Sequence, residues 1–261
     1  MSEWRRIESA GGGRALVCAP LSSAGIRHVF TLRGAAGGGD EDEMRRDLVA
    51  SIGIDPAKLL RPRQVHGSTI ASPVPGGMSL VPPEADAVVV TGAGVAAAVA
   101  TADCVGAILA VSGGRGFAVL HAGWRGVVAE IIGAAVAALG EATGTAPSGM
   151  VMALGPSARG CCYEVGEEVV VPFRQLFEGI DGARIFGQRQ GRTTVDPAAA
   201  VAVQAVRAGL GPGAIHDAGM CTICRTDELW SWRRQREAAG RMWAAADIPA
   251  AARRVSPSAS P

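Results

Sequence analysis

The 261-residue sequence predicts a single α/β (α+β) domain, on three observations. Short β-branched or apolar runs cluster between residues 86 and 121, whereas after residue 124 apolar side chains recur at helical spacing. Hydrophobic residues make up 48% of the chain and charged residues 19%, enough apolar surface to bury a full core and too much for a disordered chain. No repeat of fixed period and no long linker divides it. Residues 1–255 are therefore expected to form the domain, and Ser256 to Pro261 a disordered tail.

The elements follow in order. Ala15 to Ala19 and Val29 to Leu32 are short apolar runs, and the Gly-rich, then acidic stretch Gly34 to Glu43 reads as a loop before a helix near Met44 to Ile52. Asp55-Pro56 has the cap and first-turn residues of a second helix, and Pro73 to Pro83 reads as a loop. Ala87 to Val90, Val95 to Thr101, Ala107 to Val111 and Phe117 to His121 are continuous apolar runs of the kind that suits strands buried on both faces. From Trp124 one helix is expected through Leu139, with Gly140 as its stop. A strand at Met150 to Leu154, helices at Val165 to Glu178 and Pro197 to Ala208, a strand at Ala214 to Asp217 and a last helix from Arg233 to Ala246 complete the reading.

Composition also excludes partners. Twenty-five basic against 24 acidic residues leave a net charge of +1, without the excess that counterion release at a nucleic-acid backbone requires. Ala87 to Ala102, the longest uncharged run of the apolar middle, has 16 residues including two glycines and two threonines, short of a membrane span. The first 20 residues carry Glu3, Arg5, Arg6, Glu8 and Arg14 and lack the apolar block of a secretory signal, so a cytoplasmic protein is expected. Six irregularly spaced cysteines do not make a disulfide scaffold.

If the strands from Val95 to His121 are joined by short antiparallel connections, Cys104 and His121 reach one edge of the sheet beside Asp103. A thiol and an imidazole there make a metal half-site or a Cys–His pair, and as readily a buried thiol and a core histidine. His66, followed by Gly67, would complete a two-histidine, one-cysteine set of the class that leaves a coordination position open. Cys221-Thr222-Ile223-Cys224 has no second Cys-x-x-Cys to pair with, and it and the vicinal Cys161-Cys162 are expected to be packing residues. Gly37-Gly38-Gly39 lacks the Gly-Lys-Ser/Thr of a phosphate loop, and His28 and His216 read as structural.

The blocks Gln64-Val65-His66-Gly67, Thr101-Ala102-Asp103-Cys104, His121-Ala122-Gly123-Trp124-Arg125-Gly126, Leu154-Gly155-Pro156, Cys162-Tyr163-Glu164-Val165-Gly166, Cys221-Thr222 and Ser231-Trp232-Arg233-Arg234 before Gly240-Arg241 stand in the order of one family. The chain resembles the YfiH-type laccase-domain family over roughly residues 25 to 245. The resemblance implies an α/β/β/α sandwich with mixed, largely antiparallel sheets, and a metal held by His66, Cys104 and His121, zinc foremost with copper as the alternative ion. Family members are described as multicopper polyphenol oxidases, as purine nucleoside phosphorylases with adenosine deaminase activity and as peptidoglycan-editing factors. Three stretches depart from the family pattern: Trp230-Ser231-Trp232 where an aromatic-Ser-Tyr is usual, His28-Val29-Phe30 where His-Gly-Phe is usual and Arg33-Gly34-Ala35 where Arg-Gly-Gly is usual.

The leading expectation is a zinc enzyme acting on purine nucleosides, with Cys104, His121 and Asp103 at the chemistry. Asp103 would orient a histidine or move a proton, or else cap the turn. Arg33, Arg125, Arg233 and Arg234 are candidate phosphate ligands, Gln64 a further substrate contact and Trp124 a wall for the base or a core residue. Purine nucleoside and phosphate are the expected partners of a monomer, with no nucleic acid and no membrane. The alternatives are a metal-free Cys104–His121 hydrolase of peptide or amide bonds in cell-wall precursors, a metal-stabilised binding module, and copper oxidase chemistry, which four histidines serve poorly.

Overall fold

Alternating side chains sort each strand's residues between two apolar layers, and this alternation explains why so many strands are buried along their whole length. The computed structural model describes residues 3–34, 40–72, 83–180 and 184–249. One six-stranded sheet runs, in spatial order, β1 (Trp4–Glu8), β2 (Arg14–Cys18), β3 (Arg27–Thr31), β14 (Met242–Asp247), β7 (Ala96–Thr101) and β4 (Leu59–Leu60). The other runs β13 (Ile215–Asp217), β10 (Met150–Leu154), β8 (Val105–Val111), β9 (Gly116–Ala122), β6 (Ala87–Val90) and β5 (Ile70–Ala71). A hairpin of β11 (Phe186–Arg189) and β12 (Arg192–Val195) stands apart. Parallel pairs occur at β4–β7, β5–β6 and β10–β13, and the remaining strand pairs are antiparallel.

Val88, Val90, Ile108, Ala110, Phe117 and Val119 face Phe30, Val99 and Ala244 of the first sheet, making the layer between the sheets. The intervening residues Ala107, Leu109, Ala118 and Leu120 face away, under the helices α3 (Trp124–Val128), α4 (Ile131–Thr143), α5 (Glu167–Phe177) and α6 (Pro197–Arg207). Beyond the first sheet, α2 (Glu41–Ser51) packs Leu48 and Val49 on Val29, Ala98 and Trp243. The layers are therefore helix, sheet, sheet, helix, as the resemblance implies. Short α1 (Ala19–Ser23) and α7 (Trp232–Gln235) lie in connections. Among the described residues no helix is long and apolar enough to cross a membrane.

Four expectations are corrected. Asp55 caps only a single 3-10 turn, Pro56–Lys58, before the chain enters β4. The helix after Trp124 is two helices, separated at Glu130, whose left-handed φ of 55° interrupts the ladder; the Val127 carbonyl at the end of α3 accepts from Glu130 N at 3.0 Å and from Gln204 Nε2 of α6 at 2.7 Å. Gly140 lies inside α4, and the left-handed cap is Gly144. The last helix is replaced by β14, because insertion between β3 and β7 overrides alanine's helix preference, and Ala244 fits against Gly106, where a Cβ would lie 3.2 Å away. Gly37 to Gly39, Pro73 to Pro82 and the tail from Ser256 to Pro261 lie outside the described residues.

Candidate functional site

The route to the shared edge differs from the one expected. Strands β7 and β8 are not a hairpin, since they belong to different sheets and residues 102–104 cross between the layers. Asp103 makes that crossing with a left-handed φ of 87°. Strands β8 and β9 are a hairpin pairing Val105 with Ala122 and Gly106 with His121, so Cys104 and His121 do meet at one rim. The connection between β4 and β5 brings in His66, itself at φ 60°. Ligand atoms of His66, Cys104 and His121 lie within 4.8 Å of one another, and the two imidazoles meet edge to face with centroids 4.7 Å apart.

A buried carboxylate organises this set. Asp86 ends the β6–β9 ladder opposite His121, fully buried, and accepts from His121 Nδ1 at 2.8 Å, which turns Nε2 toward Cys104. It also accepts the backbone N–H groups of Val65, His66 and Gly67 at 3.2, 2.9 and 2.6 Å. One side chain thus fixes the ring of one histidine and the strained loop of the other. Burial raises the Asp86 pKa, but the bonds from His121 and these N–H groups outweigh it, and the net shift is downward. Sequence reasoning passed over this residue. Its signal was a lone acid within the apolar run from Ala85 to Val90.

Burial opposes ionisation of Cys104 as well, yet the bonds and charge of His121 and His66 prevail and bring its thiol down to about 6. His121 loses to burial and gains more from Asp86 and Cys104, ending at about 9. The pair is a thiolate beside an imidazolium when no ion lies between them. Gly123 caps α3 against this set, and a Cβ there would come within 3.0 Å of His66 Cδ2 and 3.1 Å of Cys104 Sγ, so the glycine keeps the space in front of the three donors open. Two imidazoles and one thiolate with room for a further ligand suit a borderline-soft ion such as zinc.

The other expected residues are placed as follows. Asp103 does not touch His121; its Oδ1 accepts from Thr222 Oγ1 and its Oδ2 from Arg233 N, both at 2.6 Å. The histidine-orienting role considered for it is filled by Asp86. Gln64 is consumed by the backbone of Ala100, donating to its carbonyl and accepting from its N–H, both at 2.8 Å, and so docks the His66 loop on β7. Arg33 donates to Thr226 O and stacks on Trp230. Arg233 donates to Glu164 O and lies 4.9 Å over the ring of Tyr163, while Arg234 is exposed and donates its N–H to Ser231 Oγ. Trp124 packs against the helix-side core, with the exposed guanidinium of Arg125 4.4 Å above its ring.

The remaining two histidines serve elsewhere. His28 accepts from Cys18 N and faces Ile26 O in the interior, where burial pushes it down to about 4, and His216 meets Glu3. A cavity of about 700 Å³ beside α6 and β13, lined by Arg159, Asp196, Val203 and Arg207 among others, shares no residue with the His–Cys–His set.

Comparison with known proteins adds three similarities to a family match. A sequence model of the family described as multi-copper polyphenol oxidoreductase laccase matches residues 40–248. A purine nucleoside phosphorylase of Streptomyces coelicolor is 37% identical over 205 residues, 76% of this chain and 80% of that protein. An adenosine deaminase from an unknown prokaryotic organism is 31% identical over 199 residues, 74% of this chain and 76% of that protein. The fold is similar to that of the hypothetical protein YfiH of Bacillus licheniformis, with a TM-score of 0.82 over 95% of this chain and 100% of that one, at 19% identity.

Proposed function

The chain belongs to the family described as multi-copper polyphenol oxidoreductase laccase, and from that premise we propose that it is a zinc-dependent purine nucleoside phosphorylase that also deaminates adenosine. The observation that carries the reading is the open His66–Cys104–His121 set held by Asp86, in a chain whose relatives bear the names of both activities. His66, Cys104 and His121 would hold the zinc ion, which would supply a Lewis acid there. The several-histidine cluster of multi-copper chemistry has no counterpart, because His28 and His216 are committed elsewhere.

In phosphorolysis, phosphate forms a bond to C1′ of the ribose as the C1′–N9 bond breaks and the purine leaves with a proton from the site or solvent. Arg125, exposed at the rim beside Gly123, is the phosphate ligand in this reading, its planar fork suited to two phosphate oxygens. Asp86 holds His121 in one tautomer, so that Nε2 faces the reacting space. Asp103 holds Arg233 and Thr222, and Tyr163 under Arg233 is a wall for the base.

Incubating the purified protein with inosine, with and without phosphate, tests the proposal. Free hypoxanthine and ribose 1-phosphate appearing only with phosphate, and inosine formed from adenosine, are the expected results; no product in zinc-loaded protein overturns it. The thiolate–imidazolium pair supports a second reading, hydrolysis of an amide by Cys104 without metal. Activity that survives complete removal of zinc would favour it.

A further inference from the structure

The two cysteine pairs expected to pack separately meet in the structure. Strands β10 and β13 run parallel, so the chain leaves their ends side by side, and a bridge between Ser157 and Cys221 continues the pairing. Ser157 N donates to Met220 O and Thr222 N to Ser157 O, at 3.1 and 3.0 Å. Beyond the bridge each segment turns. The bond from Cys162 N to Arg159 O closes one turn, and that from Arg225 N to Cys221 O closes the other, bringing Cys221 and Cys224 to one side.

Four sulfur atoms converge between the turns. Cys224 Sγ lies 3.0 Å from Cys162 Sγ and 3.6 Å from Cys161 Sγ, and all four sulfurs lie within 4.8 Å of one another. In a tetrahedral zinc tetrathiolate with Zn–S of about 2.3 Å, sulfurs stand about 3.8 Å apart, within this range. Hydrophobic packing accounts for Cys221 and Cys162, which join Ala158 and Ile223, but not for Cys161 and Cys224, which are exposed.

We propose that Cys161, Cys162, Cys221 and Cys224 form a second metal centre, a closed tetrathiolate that holds one zinc ion. Binding replaces four thiol protons, released to solvent, with four Zn–S bonds, and leaves no position for water or substrate. The centre is a clasp. It ties together two segments that carry Thr222, which donates to Asp103, and Tyr163, on which Arg233 stacks, immediately behind the turn that presents Cys104.

Metal analysis of protein purified from zinc-supplemented cells under reducing conditions is the test. About two zinc ions per chain are expected, falling to about one in Cys224→Ser and about one in His66→Ala. After exchange into cobalt(II), the thiolate-to-metal absorption, which grows with the number of sulfur ligands, should be mostly lost in Cys224→Ser and mostly kept in His66→Ala. If Cys224→Ser does not fold, mass-spectrometric mapping of alkylated thiols in the unaltered protein serves instead, with all four cysteines protected by zinc and released together by a chelator. Zinc content and cobalt absorption unchanged in Cys224→Ser, independent alkylation of the four thiols, iron–sulfur absorption, or a Cys162–Cys224 disulfide in the reduced preparation would each overturn the proposal.

Discussion

The His66–Cys104–His121 set and the four-cysteine cluster offer a metal different atoms in different surroundings. The first mixes nitrogen with sulfur, hangs its histidines on a buried carboxylate and faces space that Gly123 leaves vacant. The second is all sulfur, sits in turns with two of its four cysteines exposed, and brings its sulfurs within 4.8 Å of one another. Open sites of three protein donors do chemistry, whereas closed sites of four hold chain segments together. Number of donors and free space, more than burial, separate the two here.

The largest effect that could break this distinction comes from removing one sulfur on each side. Cys104→Ala is expected to abolish activity and remove one zinc, whereas Cys221→Ala or Cys224→Ala should keep activity and lower thermal stability, as steady-state rates and thermal melts would show. Equal inactivation by all three would mean that both centres share the chemistry. Next comes Asp86→Asn, which keeps the size but takes away the charge that holds His121 and the His66 loop. Zinc affinity and activity should each fall about 10–100-fold, measured by chelator competition and initial rates.

Titration sharpens the contrast further. In metal-free protein the Cys104 thiol at about 6 is already ionised at pH 7, so its alkylation should proceed there and slow about tenfold for each pH unit below that midpoint. Partial desolvation against the cluster and the neighbouring sulfurs of Cys221 and Cys224 push the exposed Cys161 the other way, so its alkylation should still be rising in alkali; mapping modified peptides across pH distinguishes them. The smallest change is Arg125→Lys, which keeps a charge and loses the planar fork. It should raise KM for phosphate about tenfold with zinc content and adenosine deamination unchanged; parallel phosphate titrations with the same midpoint would remove Arg125 from the phosphate site.

What was legible in the sequence was local. Asp55 accepts from Ala57 N as short-range rules predict, and α6 falls where its apolar spacing put it, whereas α2 starts at Glu41, inside the stretch read as a loop, because Asp40 caps it through the N–H groups of Asp42 and Glu43. The three donors were legible as residue types in the right blocks. Asp86 was not, because a lone acid at the head of a strand acquires meaning only when the ladder sets His121 opposite it. The four-cysteine cluster was hidden for a related reason: its halves lie about sixty residues apart, and only the parallel β10–β13 pairing, which no short motif announces, brings them together. The Met242–Asp247 segment misled in the opposite sense, its alanines speaking for a helix until flanking strands on both sides demanded a sixth strand.

That late strand also sets an order of events during synthesis. Strands β1 to β3 and the pair β7–β4 emerge early, but they touch in one sheet only through β14, so both facing edges stay unpaired until residues 242–247 leave the ribosome. Through that interval the nascent chain carries two open strand edges bordering an apolar face, the condition under which neighbouring chains pair with each other. Slowing translation just before Met242, or truncating the chain ahead of it, should therefore drive the product into inclusion bodies.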